Sequence, residues 1–385
     1  MIKFLTAFTK EIDDPEAAVA DILGQIDIDS GLLAHSVGIV SCYYEFVETG
    51  VVAALAERLP FDVIGCTAMG SGVNARCSLE QLSLLVLSSD DVNFACSLSG
   101  PLDKDNIKEQ VTGAYTEGRK LLSANPALIF TLGPIMTDAQ AGEDIVDALN
   151  NVSGNVPLFG TLSNDTDLSY KNAKTFFNGE IHQYRAALLL IQGNINPRFF
   201  VTGISDKNIQ RQKGEITSSD GCFLKEVNNM PLLNYLATLG IRKENLGAFT
   251  SVPIIVDYGD GTTPVALSMY SVNETGALCG GKMPVGASVA IAEVDYSSVM
   301  TTAEDTVKKA LAEKDISGII AIPCFSRILV ISPRAEDEMK KTRELIGQDI
   351  PFFLCYSGGE ICPTYNEKGE SFNRFHNLTY TLAVF

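Results

Sequence analysis

Residues 350–377 read IPFFLCYSGGEICPTYNEKGESFNRFHN. An apolar run reaches Cys355 and Tyr356, the chain turns through Gly358 and Gly359, and Glu360 follows at once. His376 and Asn377 close the stretch ahead of a last apolar run, LTYTLAVF at 378–385. Short runs rich in aromatic and β-branched residues, bounded by glycines, read as strands. The local grammar is therefore strand, glycine turn, polar excursion, returning strand.

That grammar occurs twice more. GIVSCYYEF (38–46), FDVIGCTAMGSG (61–72) and LSLLVLSS (82–89) form one set; ALIFTLGPI (127–135), VPLFGTLSND (156–165) and RAALLLIQG (185–193) form another. The third set adds GIIAIPCFS (318–326) to the opening stretch. Amphipathic helical patterns lie between the first two strands of each set, so the chain reads as an α/β protein (α+β in detail), with mixed β-sheets and layered helices. The repeat is a rhyme of pattern rather than of residues. It marks three comparable loops, at 65–72, 160–165 and 356–360. Ligands of open α/β sheets bind at the C-terminal ends of strands, which is where these loops fall.

Other expectations follow from the pattern. A strand at 2–8 leads to a helix with Pro15 in its first turn. LSLLVLSS and VNFACSL (92–98) read as paired strands. A single amphipathic helix over 334–347 separates 318–325 from 350–356, which predicts two parallel strands, with 378–385 antiparallel beside them. The αβ alternation gives way to β-rich segments near 195–204. Two domains are expected, 1–203 and 204–385.

Composition bounds the function. With 385 residues and 46% apolar residues the chain can build a large core without staples. It carries 29 basic and 47 acidic residues, a net charge of −18. That surface repels phosphate backbones, so nucleic-acid binding is not expected. No apolar run approaches the ~20 residues of a membrane span. Nine cysteines without paired spacing point to free thiols in a reducing, cytoplasmic setting. The three histidines, His35, His182 and His376, have no metal-ligand spacing, and no phosphate-binding glycine loop occurs. No metal or nucleotide cofactor is expected.

The remaining candidates cluster in the glycine loops. Arg327 follows an apolar strand, where a guanidinium can fork onto a ligand carboxylate; the alternative is a salt bridge to Glu336 or Asp337. Glu360, behind Gly358 and Gly359, can face a ligand ammonium or a structural hydrogen bond. His376 and Asn377 either orient that carboxylate or hold a turn. Cys324 is either an activated thiol or a small buried residue, and Cys66 with Thr67 either offers backbone amides and a hydroxyl or simply forms the turn.

At these residues the chain resembles the FIST family. FFLCYSGGEICP with FHNLT after it and CFSR before it is similar to the family's C-terminal motif, through Cys324, Arg327, Tyr356, Ser357, Gly359, Glu360, Ile361, Pro363, His376 and Asn377. Gly65, Cys66 and Thr67 resemble the N-terminal glycine loop, and Phe159 and Gly160 the second. Leu354, Cys355 and Gly358 depart from the family pattern, as does the absence of an acid at 69–71. The resemblance implies a sensory module that binds small ligands, with amino acids the proposed class, and passes a signal to a separate protein. Its implied ligand residues are Cys66, Thr67, Gly160, Cys324, Arg327, Tyr356, Gly359, Glu360, His376 and Asn377. Arg327 and Glu360 would supply one charge each for an amino acid. The competing expectation is an enzyme with Cys324 or Cys355 as nucleophile and His376 as base.

Overall fold

The computed structural model describes residues 2–136, 141–166, 169–242, 246 and 252–385. Its organising feature is a set of three six-stranded sheets built on one plan. The first runs Lys3–Thr9, Leu82–Ser89, His35–Cys42, Val63–Thr67, Thr175–Phe177 and Glu180–His182. The second runs Asn93–Leu98, Ala187–Gln192, Leu128–Gly133, Leu158–Leu162, Glu360–Tyr365 and Ser371–His376. The third runs Arg198–Thr202, Tyr380–Val384, Ile319–Pro323, Phe352–Cys355, Ser71–Val73 and Cys77–Ser78.

Each sheet joins its two middle strands in parallel, as in Ile39 opposite Ile64, Phe130 opposite Phe159 and Ile320 opposite Phe353. Its last two strands are a hairpin donated by another repeat. The first repeat's hairpin completes the third sheet, the second's completes the first, and the third's completes the second. The exchange is cyclic.

Alternation within the strands explains the layering. Leu85, Leu87, Phe130, Leu189, Ile320 and Phe353 all enter one inner core shared by the three sheets. Leu84 and Val86 face outward under the helices Pro15–Leu23 and Val51–Arg58. The second sheet is covered outside by Ile107–Lys120 and Ala141–Ser153, the third by Tyr296–Leu311 and Asp337–Ile346. Strands buried on both faces need continuous apolar runs, which is what LSLLVLSS provides. Pro15 opens its helix as expected, behind an Asp14 cap that accepts from the Ala17 amide.

A further eight-stranded sheet, over 209–292, is inserted between Arg198–Thr202 and Tyr296–Leu311. It has its own core around Ile216, Tyr235, Ile254 and Val289.

Two expectations need correcting. Leu82–Ser89 and Asn93–Leu98 do not pair with each other: Leu82–Ser89 is flanked on both edges by Lys3–Thr9 and His35–Cys42. Asn93–Leu98 therefore crosses to the second sheet and pairs with Ala187–Gln192. Second, the connection after Ile319–Pro323 holds two helices rather than one, and Arg327 lies on the additional helix, Phe325–Ile331. Phe325, Ile328 and Ile331 recur at helical spacing and are all buried, which is why the segment coils rather than loops. The parallel pairing of Ile319–Pro323 with Phe352–Cys355, and the antiparallel Tyr380–Val384, are as expected.

Close strand approach fixes one glycine. A Cβ at Gly160 would lie 2.0 Å from the Thr131 carbonyl oxygen of the neighbouring strand. Gly160→Ala should destabilise the protein by about 3 kcal/mol or more, because rigid backbone must move. Gly113, exposed within Ile107–Lys120, has open space around it, so Gly113→Ala should stabilise by about 0.5–1 kcal/mol. Denaturant titration of both variants checks the contrast.

Candidate functional site

Sheet register places three positions in correspondence. Cys66 lies opposite Thr175, Thr161 opposite Glu360, and Cys355 opposite Ser71. Glu360 is therefore the one ionisable group at its level of the exchanged hairpins. It is fully buried. Its Oε2 accepts from the Thr379 hydroxyl at 2.7 Å and from the Thr379 amide at 3.3 Å. The Cys324 thiol lies beside the same carboxyl, yet Oε1 has no hydrogen-bond partner among the described residues. Burial pushes the Glu360 carboxyl up to about 8, against the smaller opposing pull of Thr379.

His376 sits directly across the hairpin from Glu360, so the two side chains leave the same face of the pair. Its Nε2 is 3.0 Å from the Cys362 carbonyl oxygen. A carbonyl can only accept, so Nε2 carries the hydrogen and Nδ1 is a bare lone pair. Nδ1 has no partner among the described residues. Burial lowers the His376 ring to about 4, so the ring is neutral at pH 7. Two buried polar atoms on facing residues, Glu360 Oε1 and His376 Nδ1, thus stand without a partner among the described residues.

Space lies beside His376 and beside Thr379, the residue that holds the Glu360 carboxyl. A cavity of about 260 Å³ is lined by His376 and Thr379, by Phe199, Phe200 and Tyr365, and by Lys309 from the helix Tyr296–Leu311. Thr263 and Pro264 of the inserted sheet form part of its wall. Asn377 holds that sheet in place: its Oδ1 accepts from the Ser268 amide at 3.1 Å and the Tyr270 hydroxyl at 3.2 Å, and its amide donates to Ala266.

Arg327 and Tyr356 do not join this group. Arg327 is 1% exposed and spends its donors on Glu338, on the carbonyls of Val299 and Leu378, and on the Thr302 hydroxyl. Tyr356 donates to the other oxygen of Glu338 at 2.7 Å. The partner is Glu338 rather than Glu336 or Asp337, because Glu338 faces inward from Asp337–Ile346 whereas Glu336 pairs with Lys340.

The other sequence candidates have local roles. Cys66 packs in the inner core, opposite Thr175 in the register. Thr67 exchanges hydrogen bonds with the Lys174 backbone. Gly359 donates to the Ser357 hydroxyl and lies against the Phe375 ring, where a Cβ would come within 2.3 Å. Among the described residues no group of three or more His, Cys, Asp or Glu could hold a metal, and no helix is long and apolar enough to cross a membrane.

Two family models match this sequence, the FIST N domain over 36–230 and the FIST C domain over 231–363. The chain belongs to the FIST family. FIST domains are small-ligand sensory domains in signalling. No curated protein matches the chain. Solved structures that resemble it include a cyanuric acid hydrolase from A. caulinodans, 8% identical with a TM-score of 0.36, covering 100% of this chain and 98% of that one. A chorismatase is also similar, 8% identical with a TM-score of 0.34, covering 100% and 99%.

Sequence reasoning missed three residues of this FIST chain, whereas Thr379 is singled out beside His376 and Asn377 by the FHNLT match. Lys309 reads as one more exposed helix lysine, and Glu338 as an ordinary member of its segment. Asn164 is the third. Its amide donates to Thr67, its side-chain NH₂ donates to Tyr356, and its Oδ1 accepts from Met69, so it joins all three repeats. Its place in the LSND loop of the second repeat was the available signal.

Two outcomes follow for stability. Arg327→Met leaves Glu338 buried without its cation and should cost about 3–5 kcal/mol by denaturant titration. The pH effect is subtler. The Glu360 carboxyl titrates near 8 when folded and ~4.3 when unfolded, so the folded state holds the extra proton and stability falls as pH rises across that window. His376 acts oppositely between about 4 and ~6.5, where only the unfolded ring is protonated. Between pH 6.5 and 8 Glu360 acts alone of the two. Ligand-free protein should lose stability over that range, and Glu360→Gln should flatten the loss.

Proposed function

We propose that this FIST chain is a cytoplasmic sensor for a small amine-bearing ligand, an amino acid in the first instance, held in the cavity that His376 and Thr379 line, both of which adjoin Glu360. The observation that carries the reading is a pair of buried side chains facing each other across one hairpin, Glu360 and His376, whose Oε1 and Nδ1 have no hydrogen-bond partner among the described residues. A buried polar atom without a partner costs about 1–3 kcal/mol, and a primary ammonium has three N–H groups to offer. On binding, Glu360 releases its proton to solvent and the resulting carboxylate, which Thr379 already orients, pairs with the ammonium.

The apolar wall of Phe199, Phe200 and Tyr365 suits a side chain, and the volume lies near the small end of the ~300–1,000 Å³ usual for ligand sites. The cation for the ligand carboxylate is Lys309 at the cavity rim, since Arg327 is committed to Glu338. An exposed lysine adds only about 0–1 kcal/mol, so the ammonium end dominates affinity. The output is a separate signalling protein.

The thiol-enzyme reading has less support. His376 spends its one ring N–H on Cys362, and among the described residues no hydrogen bond joins it to Cys324 or Cys355. Burial raises the Cys324 thiol, which opposes the thiolate that nucleophilic attack needs.

Thermal-shift titration with the twenty amino acids and their decarboxylated amines tests the sensor. A true ligand at 100 times its Kd should add about 2.7 kcal/mol. Glu360→Gln should remove the response, and Lys309→Ala should weaken amino acids several-fold while sparing amines. Affinity should fall about tenfold per pH unit below 8, as the carboxyl must be deprotonated. A ligand whose stabilisation survives Glu360→Gln unchanged would place the site elsewhere.

A further inference from the structure

In the inserted sheet the strand Ser288–Ala292 lies between Ile254–Asp257 and Ile209–Asp220. Its sequence, SVAIA, alternates. Val289 and Ile291 enter the inserted sheet's core, so Ser288, Ala290 and Ala292 leave the opposite face, and all three are small. The flanking strands carry longer side chains on that face. Ile255 and Lys213 stand on either side of Ala290, and Asp257 stands beside Ser288. The result is a trough with a low floor and raised walls. The strand Ile209–Asp220 also bulges: Ile209 pairs with Ala292 and Lys213 with Ala290, two residues more than regular pairing allows, and Ile209 and Asp206 come to border the trough. What remains is a cavity of about 240 Å³, which shares no lining residue with the one beside His376. Its charges are divided between the walls. Lys213 stands on one wall and Asp257 on the other, and Asp206, from the single turn Asp206–Asn208, adds a second carboxylate. None of the three makes an ion pair among the described residues.

We propose that this trough is a second small-molecule site, for a dipolar ligand whose ammonium and carboxylate stand at opposite ends of a short aliphatic chain, an ω-amino acid. The inference is independent of the ligand reading at Glu360. The backbones that carry Lys213 and Asp257 are two strand spacings apart, about 10 Å, with the low floor between them. An α-amino acid holds its two charges on one carbon and meets only one wall; an ω-amino acid separates them and meets both. The ligand carboxylate pairs with Lys213 and its ammonium with Asp257 and Asp206. The methylene chain lies on Ala290 and Ile255, which are 3% and 7% exposed. Asp257 is held ready by its own turn, since its Oδ1 accepts from the Gly259 amide at 3.0 Å. Ion pairs at an open site are weak, so removing one charge weakens binding about two- to fivefold, and added salt weakens it further.

The test titrates 5-aminopentanoate into the full chain with isotope-labelled alanine and isoleucine methyls, read by NMR at Ala290 and Ile255. The expected result is a saturable shift at both methyls. Asp257→Asn, which keeps the turn, and Lys213→Met, which keeps the stem, should each weaken binding about two- to fivefold, and the double variant by about the product of the two. Pentylamine and pentanoate, with one charge each, should bind at least twofold more weakly than 5-aminopentanoate, and so should alanine. Glu360→Gln should leave the shifts at Ala290 and Ile255 intact, which separates this trough from the cavity beside His376. If no saturable shift appears at Ala290 in the wild-type chain, the proposal is overturned. Unchanged affinity in the double variant overturns it too, as does pentylamine or alanine binding as tightly as 5-aminopentanoate. The methyl spectrum of each variant reports its folding in the same experiment, and the wild-type comparison of the four probes needs no variant at all.

Discussion

An unpaired strand edge has to be covered, and in this protein no repeat can cover its own. Val63–Thr67, Leu158–Leu162 and Phe352–Cys355 each end the set of strands that their own repeat contributes. Each exposes a row of backbone N–H and C=O groups beside an apolar core, where unmet polar groups are expensive. The hairpin that meets them always comes from another repeat, in a closed cycle of three. The fold is therefore interlocked: removing any one hairpin opens a sheet that belongs to a different part of the chain.

The exchange also explains where the chemistry sits. Glu360 opens the third repeat's hairpin, and pairing sends it to Thr161 of the second repeat. Thr379 starts the return to the third sheet and reaches back to hold the carboxyl. A charge-bearing residue at the crossing between two sheets loses water on every side, which raises its proton affinity. Asn164 performs the same bridging without charge, joining Thr67, Met69 and Tyr356 through three hydrogen bonds. Its donors and acceptors are matched; Glu360 Oε1 and His376 Nδ1 have no partner among the described residues.

Local pattern made much of this legible. The three sets of strand, glycine loop and returning strand are read from runs of a few residues, and they correspond to the three sheets. The parallel pair Ile319–Pro323 and Phe352–Cys355 followed from one crossover rule. Allocation of side chains was not legible, because it depends on contacts distant in sequence. Ser71–Val73 meets Phe352–Cys355 across most of the chain. Arg327 in CFSR looks available until Glu338, Val299 and Leu378 converge on it from three separate segments. Lys309, by contrast, looks like solvated surface until Phe199, Tyr365 and His376 assemble beside it.

The two kinds of buried charge have opposite consequences. Arg327 and Glu338 neutralise each other within a full set of hydrogen bonds, so their contribution is a fixed geometry that ligand cannot improve. Glu360 remains protonated for want of a cation, and His376 keeps a lone pair facing no donor. The folded state holds this mismatch because the surrounding apolar core and the interlocked hairpins outweigh it. On the proposed reading, a ligand that supplied N–H groups would relieve the mismatch only in the folded arrangement of the second sheet, the third sheet and the inserted region, all of which border the cavity. Binding energy would then be coupled to how those three bodies pack. A sensor needs that coupling, and the fully satisfied Arg327 network could not provide it.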